Sequence, residues 1–391
     1  MSIKINQGGI MKKPVLLVSL LLTLLVVSCI TKDQSNDGQQ TEETGGGLEA
    51  VPDDPKPFND ISANDLVAKI KVGWNLGNTL DAPSETAWGN PVTKKSNIDT
   101  IKAAGFNAVR IPVSWSRHVD KNYNIDSAFM KRVREIVGYA VENDMYILLN
   151  SHHDEGIFKF KDDNMETSKT AFKKVWEQIA GQFKNENEKL IFEGLNEPRT
   201  IGSPREWQGG TEEEWTNLNA MEQIFVNAVR ASGSNNTKRI LLISTYAASA
   251  EQSAMNGVKI PNDPSNSINK FIVSVHAYAP YNFALNEGGG KVDKWSKDNS
   301  RDTADVRTPV DRAYNTFVSK GIPVIMGEFG ALNRKNEEAR AEWANYYVSY
   351  AKSKGIPCFW WDNGGDFMLL NRRENSFPFP AIRDALINGA N

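Results

Sequence analysis

Cysteine is scarce in this chain of 391 residues, which contains only Cys29 and Cys358, and two cysteines cannot form the disulfide framework of a small secreted domain. Basic clusters are scarce as well. The 45 lysine and arginine residues are balanced by 48 aspartate and glutamate residues, and the net charge of −3 excludes the positive surface that a nucleic-acid-binding protein needs. The hydrophobic fraction of 40% is nevertheless sufficient for one large domain or two ordinary ones with a sizeable core.

The N-terminal segment has the parts of a bacterial export signal. Two lysines after Met11 precede an apolar run from Val15 to Val27, and Cys29 follows closely. This run is shorter than the ~20 residues of a typical transmembrane helix, and its Leu-Val-Val-Ser-Cys end resembles a lipobox. We therefore predict a lipoprotein-type signal peptide over residues 1–29, a lipid on Cys29, and a secreted or cell-surface location in the outer membrane or periplasm. An ordinary cleaved signal peptide and an uncleaved anchor are the alternatives.

Residues 30–57 have a composition that does not favour folding. They are rich in Thr, Asp, Gln, Ser, Asn, Gly and Glu, and they contain almost no large apolar side chain. Burial of so little apolar surface cannot offset the entropy lost on ordering. We therefore predict a flexible acidic and polar linker over residues 30–57 and one folded domain over residues 58–391.

Short apolar runs alternate with longer amphipathic segments in this domain. The runs predict eight strands: Val72–Leu76, Ala108–Ile111, Met145–Asn150, Leu190–Gly194, Arg239–Ser244, Phe271–His276, Pro323–Gly327 and Cys358–Trp361. The segments between them repeat apolar residues every three or four positions, which predicts helices: Asn97–Ala104, Ser127–Glu142, Lys169–Gln182, Glu212–Ala231, Pro309–Ser319 and Glu337–Lys354. This alternation fits an α/β fold, the (β/α)8 TIM barrel. A doubly wound sheet is the alternative, but no Gly-rich dinucleotide-binding turn occurs.

Function in such a barrel gathers at the C-terminal ends of the strands, and polar or aromatic side chains occupy these positions in the sequence. Three of the four histidines of the chain are among them. The residues concerned are Arg110, His152, His153, Asn196, Glu197, His276, Tyr278, Glu328 and Trp361. Their repeated placement after predicted strands indicates one common site.

Glu197 and Glu328 are carboxylates that closely follow apolar strands. Two carboxyl groups at the mouth of a barrel can cleave a glycosidic bond, because one protonates the leaving oxygen while the other attacks the sugar or activates water. The alternative for each glutamate taken alone is an exposed or salt-bridged side chain. Their surroundings, Asn-Glu-Pro and Gly-Glu-Phe-Gly, favour the functional interpretation.

A set of motifs occurs in order between Val72 and Trp361. They are Gly73-Trp-Asn-Leu-Gly-Asn-Thr-Leu-Asp81, Trp88-Gly-Asn-Pro91, Val109-Arg-Ile-Pro-Val-Ser-Trp115, Asn196-Glu-Pro198, His276-Ala-Tyr278 and Gly327-Glu-Phe-Gly330. Through them the chain resembles the retaining glycoside hydrolases of family 5, and specifically the endo-β-1,4-glucanase and xyloglucanase branch. The resemblance implies that residues 58–391 form a catalytic (β/α)8 barrel.

The resemblance also implies roles for individual residues. Glu197 is implied as the acid/base and Glu328 as the nucleophile. Arg110 and Tyr278 are the implied partners of Glu328, and they are expected to lower its pKa. Glu197 is expected to hold a proton near neutral pH through partial burial and the charge of Glu328, with His276 beside it.

Further residues are implied as substrate contacts. Asn196 is placed to hydrogen-bond the 2-hydroxyl of the sugar that is cleaved. Trp361 is expected to stack on that sugar, because alternation along a strand points Trp360 to the opposite side. The remaining implied contacts are His152, His153 and Asn78.

The expected reaction is endo-acting hydrolysis of β-1,4-glucosidic bonds in soluble cellulose, mixed-linkage β-glucan or xyloglucan, by double displacement. It requires no cofactor and no metal, and we expect a monomer whose partner is the polysaccharide. Trp88 and Trp207, in loops rich in glycine and polar residues, are candidates for outer substrate contacts. The alternatives are activity on mannan or xylan, and a cell-surface glycan-binding lipoprotein whose barrel has lost catalysis.

Overall fold

The computed structural model describes residues 47–160, 162–265, 267 and 269–391. The predicted signal peptide, Cys29 and most of the predicted linker lie outside the described residues. Within the described part of the chain, no helix combines the length and the apolar character that crossing a bilayer requires.

A closed barrel of eight parallel strands forms the centre of the domain. The strands are β1 (Val72–Leu76), β2 (Ala108–Ile111), β3 (Tyr146–Asn150), β4 (Leu190–Glu193), β5 (Leu241–Ser249), β6 (Phe271–His276), β7 (Val324–Phe329) and β8 (Cys358–Asp362). Each strand pairs with the next one along the chain, and β8 pairs with β1 to close the barrel. The TIM barrel predicted from the sequence is confirmed.

One short helix precedes β1 and packs against the apolar interior, and the remaining helices follow the strands. They are α1 (Ala63–Val67), α2 (Lys95–Ala103), α3 (Ser127–Glu142), α4 (Met165–Phe183), α5 (Glu212–Ala231), α6 (Gln252–Asn256), α7 (Tyr281–Ala284), α8 (Ser300–Thr316), α9 (Glu337–Ser353) and α10 (Pro380–Ala390). Single 3-10 turns occupy Ala87–Gly89, Ser116–His118, Asp162–Asn164, Ser234–Thr237 and Val318–Lys320. The predicted bounds of α3 and α5 agree with these, whereas α8 begins nine residues earlier than predicted.

The interior of the barrel has two layers of different chemistry, because residues two apart on a strand share one face. The lower layer is apolar and consists of Ala108, Leu148, Ile191, Leu242, Ile272, Ile325 and Phe359, with Ala63 and Leu66 of α1 packed in the same cluster. The next inward positions toward the C-terminal ends of the strands are buried and polar: Asn75, Arg110, Asn150, Glu193, Ser244 and Ser274. The barrel is therefore sealed by apolar side chains below and carries its buried polar groups above.

Strand β7 contains one extra residue near its C-terminal end. Val275 pairs with Met326, whereas His276 pairs with Glu328, so Gly327 is left over in the register. Such a bulge allows two consecutive residues to face the same side of a sheet. Gly327 and Glu328 consequently both face the interior, where a Cβ on Gly327 would lie against His276 and where Glu328 contacts other buried side chains.

Part of the predicted linker lies on the domain that follows it. The main-chain N–H of Lys56 donates to the carbonyl of Asn185 at 2.9 Å, and the Lys56 ammonium pairs with Glu186 at 2.5 Å. The side-chain amide of Gln182 donates to the carbonyl of Glu49 at 2.9 Å. Residues 49–56 are thus attached to the end of α4 and the loop after it.

Candidate active site

A cavity of about 1360 Å³ opens at the C-terminal ends of the strands. Eight of the ten site residues expected from the sequence line it, namely His152, His153, Asn196, Glu197, His276, Tyr278, Glu328 and Trp361. Arg110 is fully buried beneath them. Asn78 is not among the lining residues; its main-chain N–H donates to Asp81 and its carbonyl accepts from Asn90.

Glu328 is oriented by two donors. Arg110 Nη1 lies 2.7 Å from Oε1, and the hydroxyl of Tyr278 donates to Oε2 at 2.8 Å. Burial and the negative charge of Glu328 raise the pKa of Tyr278 well above its ordinary value. The phenol therefore stays protonated, and it can only donate to this carboxylate. These are the two partners that the sequence analysis expects for Glu328.

Glu193, at the end of β4, is a buried carboxylate that the sequence analysis missed. Arg110 reaches it through Nε at 2.6 Å and Nη2 at 3.1 Å, and Asn150 donates to it at 3.1 Å. Burial by itself lowers the pKa of Arg110, but the charges of Glu193 and Glu328 outweigh burial and raise it. The guanidinium thus stays charged and bridges two carboxylates. The sequence feature that could have identified Glu193 is the presence of a charged residue in the otherwise apolar run Leu-Ile-Phe-Glu.

Glu197 faces Glu328 across the cavity. Its Oε1 lies 3.0 Å from Nδ1 of His276, and this nitrogen is 3.8 Å from Oε2 of Glu328. One oxygen of each carboxylate and one nitrogen of the imidazole all lie within 4.8 Å of one another. Retaining glycosidases hold their two carboxyl groups roughly 5–5.5 Å apart, whereas inverting enzymes separate them by about 6.5–9.5 Å. An oxygen–oxygen separation within 4.8 Å is far below the inverting range and favours the retaining geometry.

The pKa of Glu197 differs in direction from the expectation. Burial raises this pKa, but the hydrogen bond to His276 and the positive charges of His276, Arg199 and His153 outweigh burial and lower it. Nearby cations decide the direction of this pKa shift, and their side chains come from distant segments of the chain. The hydrogen bond between Nδ1 of His276 and Oε1 of Glu197 nevertheless holds one proton beside this carboxyl group.

Arg199, next to the Asn-Glu-Pro motif, is a second residue that the sequence analysis missed. Its Nη1 lies 3.7 Å from Glu197 and 3.3 Å from Glu155, and its Nε lies 3.1 Å from Glu206. The guanidinium also stacks over the ring of Trp207, 4.6 Å from the centroid. Arg199 thus places a positive charge and an exposed indole beside the candidate acid/base.

Trp361 and His152 form one wall of the cavity. Their rings are parallel within 2°, with centroids 5.7 Å apart. A Cβ on Gly77 would come within 2.7 Å of the Trp361 ring, so the close approach requires glycine. Trp360 is fully buried and donates to the carbonyl of Phe367, as alternation along the strand predicts.

The surroundings of Asn196 fix its hydrogen bonding, and those of the two histidines after β3 shift their pKa values. Arg110 donates to Oδ1 of Asn196 at 2.7 Å, which leaves the side-chain NH2 to donate elsewhere. Burial places the pKa of His152 well below its ordinary value, so this ring is neutral. Burial also lowers the pKa of His153, but its contact with Glu155 and nearby negative charges outweigh burial and raise it.

Two groups of side chains in the described ranges have the ligand types and proximity to hold a metal ion. One is Asp81 with His152 and His153, and the other is Glu197 with His276 and Glu328, each with ligand atoms within 4.8 Å of one another. In the first group the carboxylate of Asp81 already accepts two main-chain N–H groups. The second group is the carboxyl pair itself, so a metal there would compete with the acid–base arrangement. That the function needs no metal stays a prediction.

Glu222 on α5 lies behind the site, and its protonation makes stability depend on pH. Burial raises its pKa to about 8 from the ordinary 4.5. The folded protein holds a proton there that the unfolded chain releases, so the free energy of unfolding falls as pH rises between these values. We expect Glu222→Gln to raise the melting temperature by several degrees at pH 8 and to change it little at pH 4.5. Thermal unfolding across this range measures the effect. Glu213→Gln, an exposed change on the same helix, is the control, and an equal gain at both pH values would contradict the assignment.

Known proteins resemble this chain in sequence and in fold. Residues 74–367 match the family model described as cellulase (glycosyl hydrolase family 5). The chain is similar to cellulase/esterase CelE of Acetivibrio thermocellus, with 46% identity over 85% of this chain, and it spans 41% of the length of that relative. It is also similar to the solved structure of a GH5-4 broad specificity endoglucanase from Ruminococcus champanellensis with bound cellotriose, with 41% identity, a TM-score of 0.81, and 85% and 100% of the two chains covered. A glycoside hydrolase 5 lichenase from Caldicellulosiruptor sp. F32, solved as an E188Q mutant with cellotetraose, has 39% identity and a TM-score of 0.81 over 88% and 99% of the chains.

Proposed function

Because the chain belongs to glycosyl hydrolase family 5, we propose that it is a retaining endo-β-1,4-glucanase that acts on soluble cellulose, mixed-linkage β-glucan or xyloglucan. The names of its relatives, an endoglucanase with cellotriose and a lichenase among them, support a β-glucan substrate. The observation that carries the proposal is the pair of carboxyl groups, Glu197 and Glu328, which face each other within 4.8 Å in an open cavity.

The first half of the proposed reaction forms a covalent intermediate. An oxygen of Glu328 attacks the anomeric carbon, while the pair of Glu197 and His276 delivers a proton through Glu197 to the leaving glycosidic oxygen. Arg110 and Tyr278 hold the attacking carboxylate in place. The bond to Glu328 forms as the glycosidic bond breaks, and the aglycone leaves as an alcohol.

The second half releases the sugar. Water takes the place of the aglycone, Glu197 removes a proton from it, and the hydroxyl attacks the anomeric carbon to release Glu328. Two inversions give net retention. The free NH2 of Asn196 is placed to bind the sugar 2-hydroxyl, a contact that strengthens in the transition state. Trp361 offers its exposed face to the sugar ring.

The experiment that tests this function measures reducing-end release by the purified protein on five polymers: xyloglucan, mixed-linkage β-glucan, carboxymethyl cellulose, mannan and xylan. We expect release on one or more glucans, with the β-anomer as the first product in a proton NMR time course. Initial formation of the α-anomer would exclude the retaining mechanism. If a folded sample releases no reducing ends from any of the five polymers but binds one of them, the result would favour a glycan-binding protein without catalysis.

Trp88 is proposed as an outer contact for a long glucan chain. Its side chain is 70% exposed and its backbone has a φ of 54°, a strained conformation typical of functional positions. The amide of Asn90 ties this loop to the carbonyls of Asn78 and Asn363, beside the end of β8. We expect Trp88→Ala to lower kcat/KM on polymer about tenfold through loss of stacking, with little change on an aryl cellobioside. Val92→Ala, an exposed change in the same loop, is the control, and equal losses on both substrates would contradict the proposal.

We further propose that a lipid on Cys29 displays the enzyme as a monomer at a bacterial cell surface or in the periplasm. The lipid proposal draws on the lipobox-like sequence that ends at Cys29. We expect the protein to fractionate with membranes and Cys29→Ser to release it into the soluble or secreted fraction. Identical fractionation of both proteins would contradict a lipid on Cys29.

A further inference from the structure

Glu197 lies four residues beyond the end of β4, so the strand does not fix its backbone directly. It belongs to the β4–α5 loop, residues 194–211, which ends at the N-cap of α5. A group that transfers a proton must be held accurately, because a misplacement of about 1 Å can cost a hundredfold in rate. Contacts from outside β4 must therefore hold this part of the loop.

Strand β5 has a large bulge near its C-terminal end. Ser244 pairs with Ser274 and Ser249 pairs with His276, so β5 advances five residues where β6 advances two. The residues between these two register points, 245–248, are the β5 bulge. Bulges of this kind re-aim the chain beside active sites.

The backbone of the β5 bulge is strained. Ala247 has a φ of 55° and Ala248 a φ of 46°, both in the left-handed region that is unfavourable for residues with a Cβ. Such strain persists only where surrounding contacts hold the chain, and it is concentrated at functional sites. Ala247 also lines the cavity. The contacts of this bulge therefore indicate what its conformation serves.

Two hydrogen bonds join the β5 bulge to the β4–α5 loop just after Glu197. The main-chain N–H of Ala247 donates to the carbonyl of Pro198 at 2.8 Å. The main-chain N–H of Thr200 donates to the hydroxyl of Tyr246 at 3.0 Å. The loop is thus attached to β5 one residue and three residues after the candidate acid/base.

The hydroxyl of Tyr246 has two defined partners. Because the N–H of Thr200 can only donate, the tyrosine oxygen accepts there and its own proton goes to another partner. That partner is Oε1 of Glu214, at 2.7 Å. The other oxygen of Glu214 accepts the main-chain N–H of Thr211 at 2.9 Å, at the start of α5. A Cβ on Gly210 would lie 2.8 Å from the tyrosine ring, so the ring is closely packed as well.

We propose that Tyr246 and the β5 bulge position the acid/base Glu197 for proton transfer to the leaving oxygen. This inference rests on the proposed function. Tyr246 is 1% exposed, does not line the cavity and acts through the main chain of residues 198–200, so it is a positioning residue. It restrains the backbone, whereas His276 contacts the carboxyl group itself. Glu328 lies on β7 with its own donors, so the nucleophile should not depend on Tyr246.

The kinetic test compares two substrates that differ in their need for acid assistance. Tyr246→Phe keeps the ring and removes the hydroxyl, and we expect kcat/KM on cellotetraose to fall about tenfold, because its leaving sugar must be protonated. Dinitrophenyl cellobioside has a leaving group that needs no proton. Its kcat/KM reports the attack by the nucleophile and should stay within about twofold.

Tyr350→Phe is the matched control for the loss of a tyrosine hydroxyl. Tyr350 lies on α9, donates to Asp311 at 2.7 Å and does not line the cavity. Its bond therefore has the same chemistry as the bond from Tyr246 to Glu214. We expect kcat/KM on both substrates to stay within about twofold in this variant.

Glu214→Gln tests the same link without a change of the tyrosine, and it carries the test if Tyr246→Phe does not fold. An amide has one oxygen, so it cannot accept from both Tyr246 and Thr211 as the carboxylate does. We expect kcat/KM on cellotetraose to fall about threefold, with little change on dinitrophenyl cellobioside. Glu213→Gln, an exposed change beside it, is the control.

Amide hydrogen exchange gives a readout that does not depend on activity. The N–H of Thr200 loses its acceptor in Tyr246→Phe, and the loop loses one of its two attachments to β5. We expect peptides within residues 195–210 to exchange about threefold faster or more, while peptides from the other strands are unchanged. Tyr350→Phe should leave residues 195–210 unchanged.

An unchanged kcat/KM on cellotetraose in folded Tyr246→Phe would overturn the inference, and so would unchanged exchange over residues 195–210. Equal losses on the two substrates would do the same, because they would indicate a purely structural role. A wild-type protein that releases no reducing ends from any glucan would instead remove the proposed function. Hydrogen exchange would then still decide whether Tyr246 holds the loop.

Discussion

Glu328→Ala should lower kcat on β-glucan about ten-thousandfold or more, because the carboxylate that faces Glu197 and is proposed to attack the anomeric carbon is lost. Arg110 and Tyr278 would keep their positions but lose the carboxylate that they orient. Much of the affinity for the polymer should remain, since Trp361, His152 and Asn196 are untouched. Kinetics on the preferred glucan and isothermal titration with cellotetraose measure the two effects separately.

Azide tests whether the activity lost in Glu328→Ala is due to the missing nucleophile. In Glu328→Ala, azide can occupy the space of the carboxylate and attack an activated aryl cellobioside from the α face, which yields an α-glycosyl azide. In Glu197→Ala the covalent intermediate still forms, and azide should give the β-glycosyl azide. Glu338→Ala, an exposed change on α9, is the control. Full activity of Glu328→Ala would remove the proposed nucleophile.

Arg110→Met should cause the largest loss of stability among the site variants, about 3–5 kcal/mol in the free energy of unfolding, because two buried carboxylates lose their shared cation. Arg110 and Glu193 both have side chains with 0% exposure. Glu328 would also lose the donor on Oε1, so activity should fall by at least about a hundredfold. Urea denaturation and kinetics on the same samples measure both.

A double variant distinguishes the effect of Arg110 on stability from its effect on activity. Arg110→Met combined with Glu193→Gln removes one buried charge of each sign, so we expect it to recover a large part of the stability lost in Arg110→Met. Activity should not recover, because Glu328 still lacks its guanidinium. A double variant no more stable than Arg110→Met would show that the pairing of Arg110 and Glu193 is not the source of the loss.

The sequence was most informative where local pattern decides structure. Seven of the eight strands were predicted within two residues of their bounds, because buried apolar runs are short and are bounded by turn residues. Strand β5 ends at Ser249, five residues later than predicted. Helix α8 was predicted to begin at Pro309, because apolar residues repeat at three- and four-residue spacing from there. The helix begins at Ser300 instead, because the side chain of Asn299 accepts the N–H groups of Arg301 and Asp302. Residues 300–308 contain little apolar periodicity, so the pattern alone did not reveal this turn.

The site was predictable as a set of residues but not as an electrostatic unit. Motifs identified the two carboxyl groups and their immediate partners. Glu193, Arg199 and the direction of the Glu197 pKa depend on which atoms meet when separate strands close into a barrel. Of these, only Glu193 had a local signal, a charge inside an apolar strand. The roles assigned to the site residues stay predictions until variants are measured.

Because of the β7 bulge, the site should tolerate a change in the number of residues at the end of this strand less well than a change in their identity. Gly327 is the extra residue that turns Glu328 toward the cavity. With Gly327 deleted, simple alternation from Ile325 would bring Glu328 into the inward position that Gly327 now holds. A Cβ at that position would meet Ser274 and His276, so the carboxylate of Glu328 would be displaced from Arg110 and Tyr278. Natural selection should therefore remove deletions and insertions at the end of β7 more strongly than most substitutions of the preceding apolar residues, such as Ile325 or Met326.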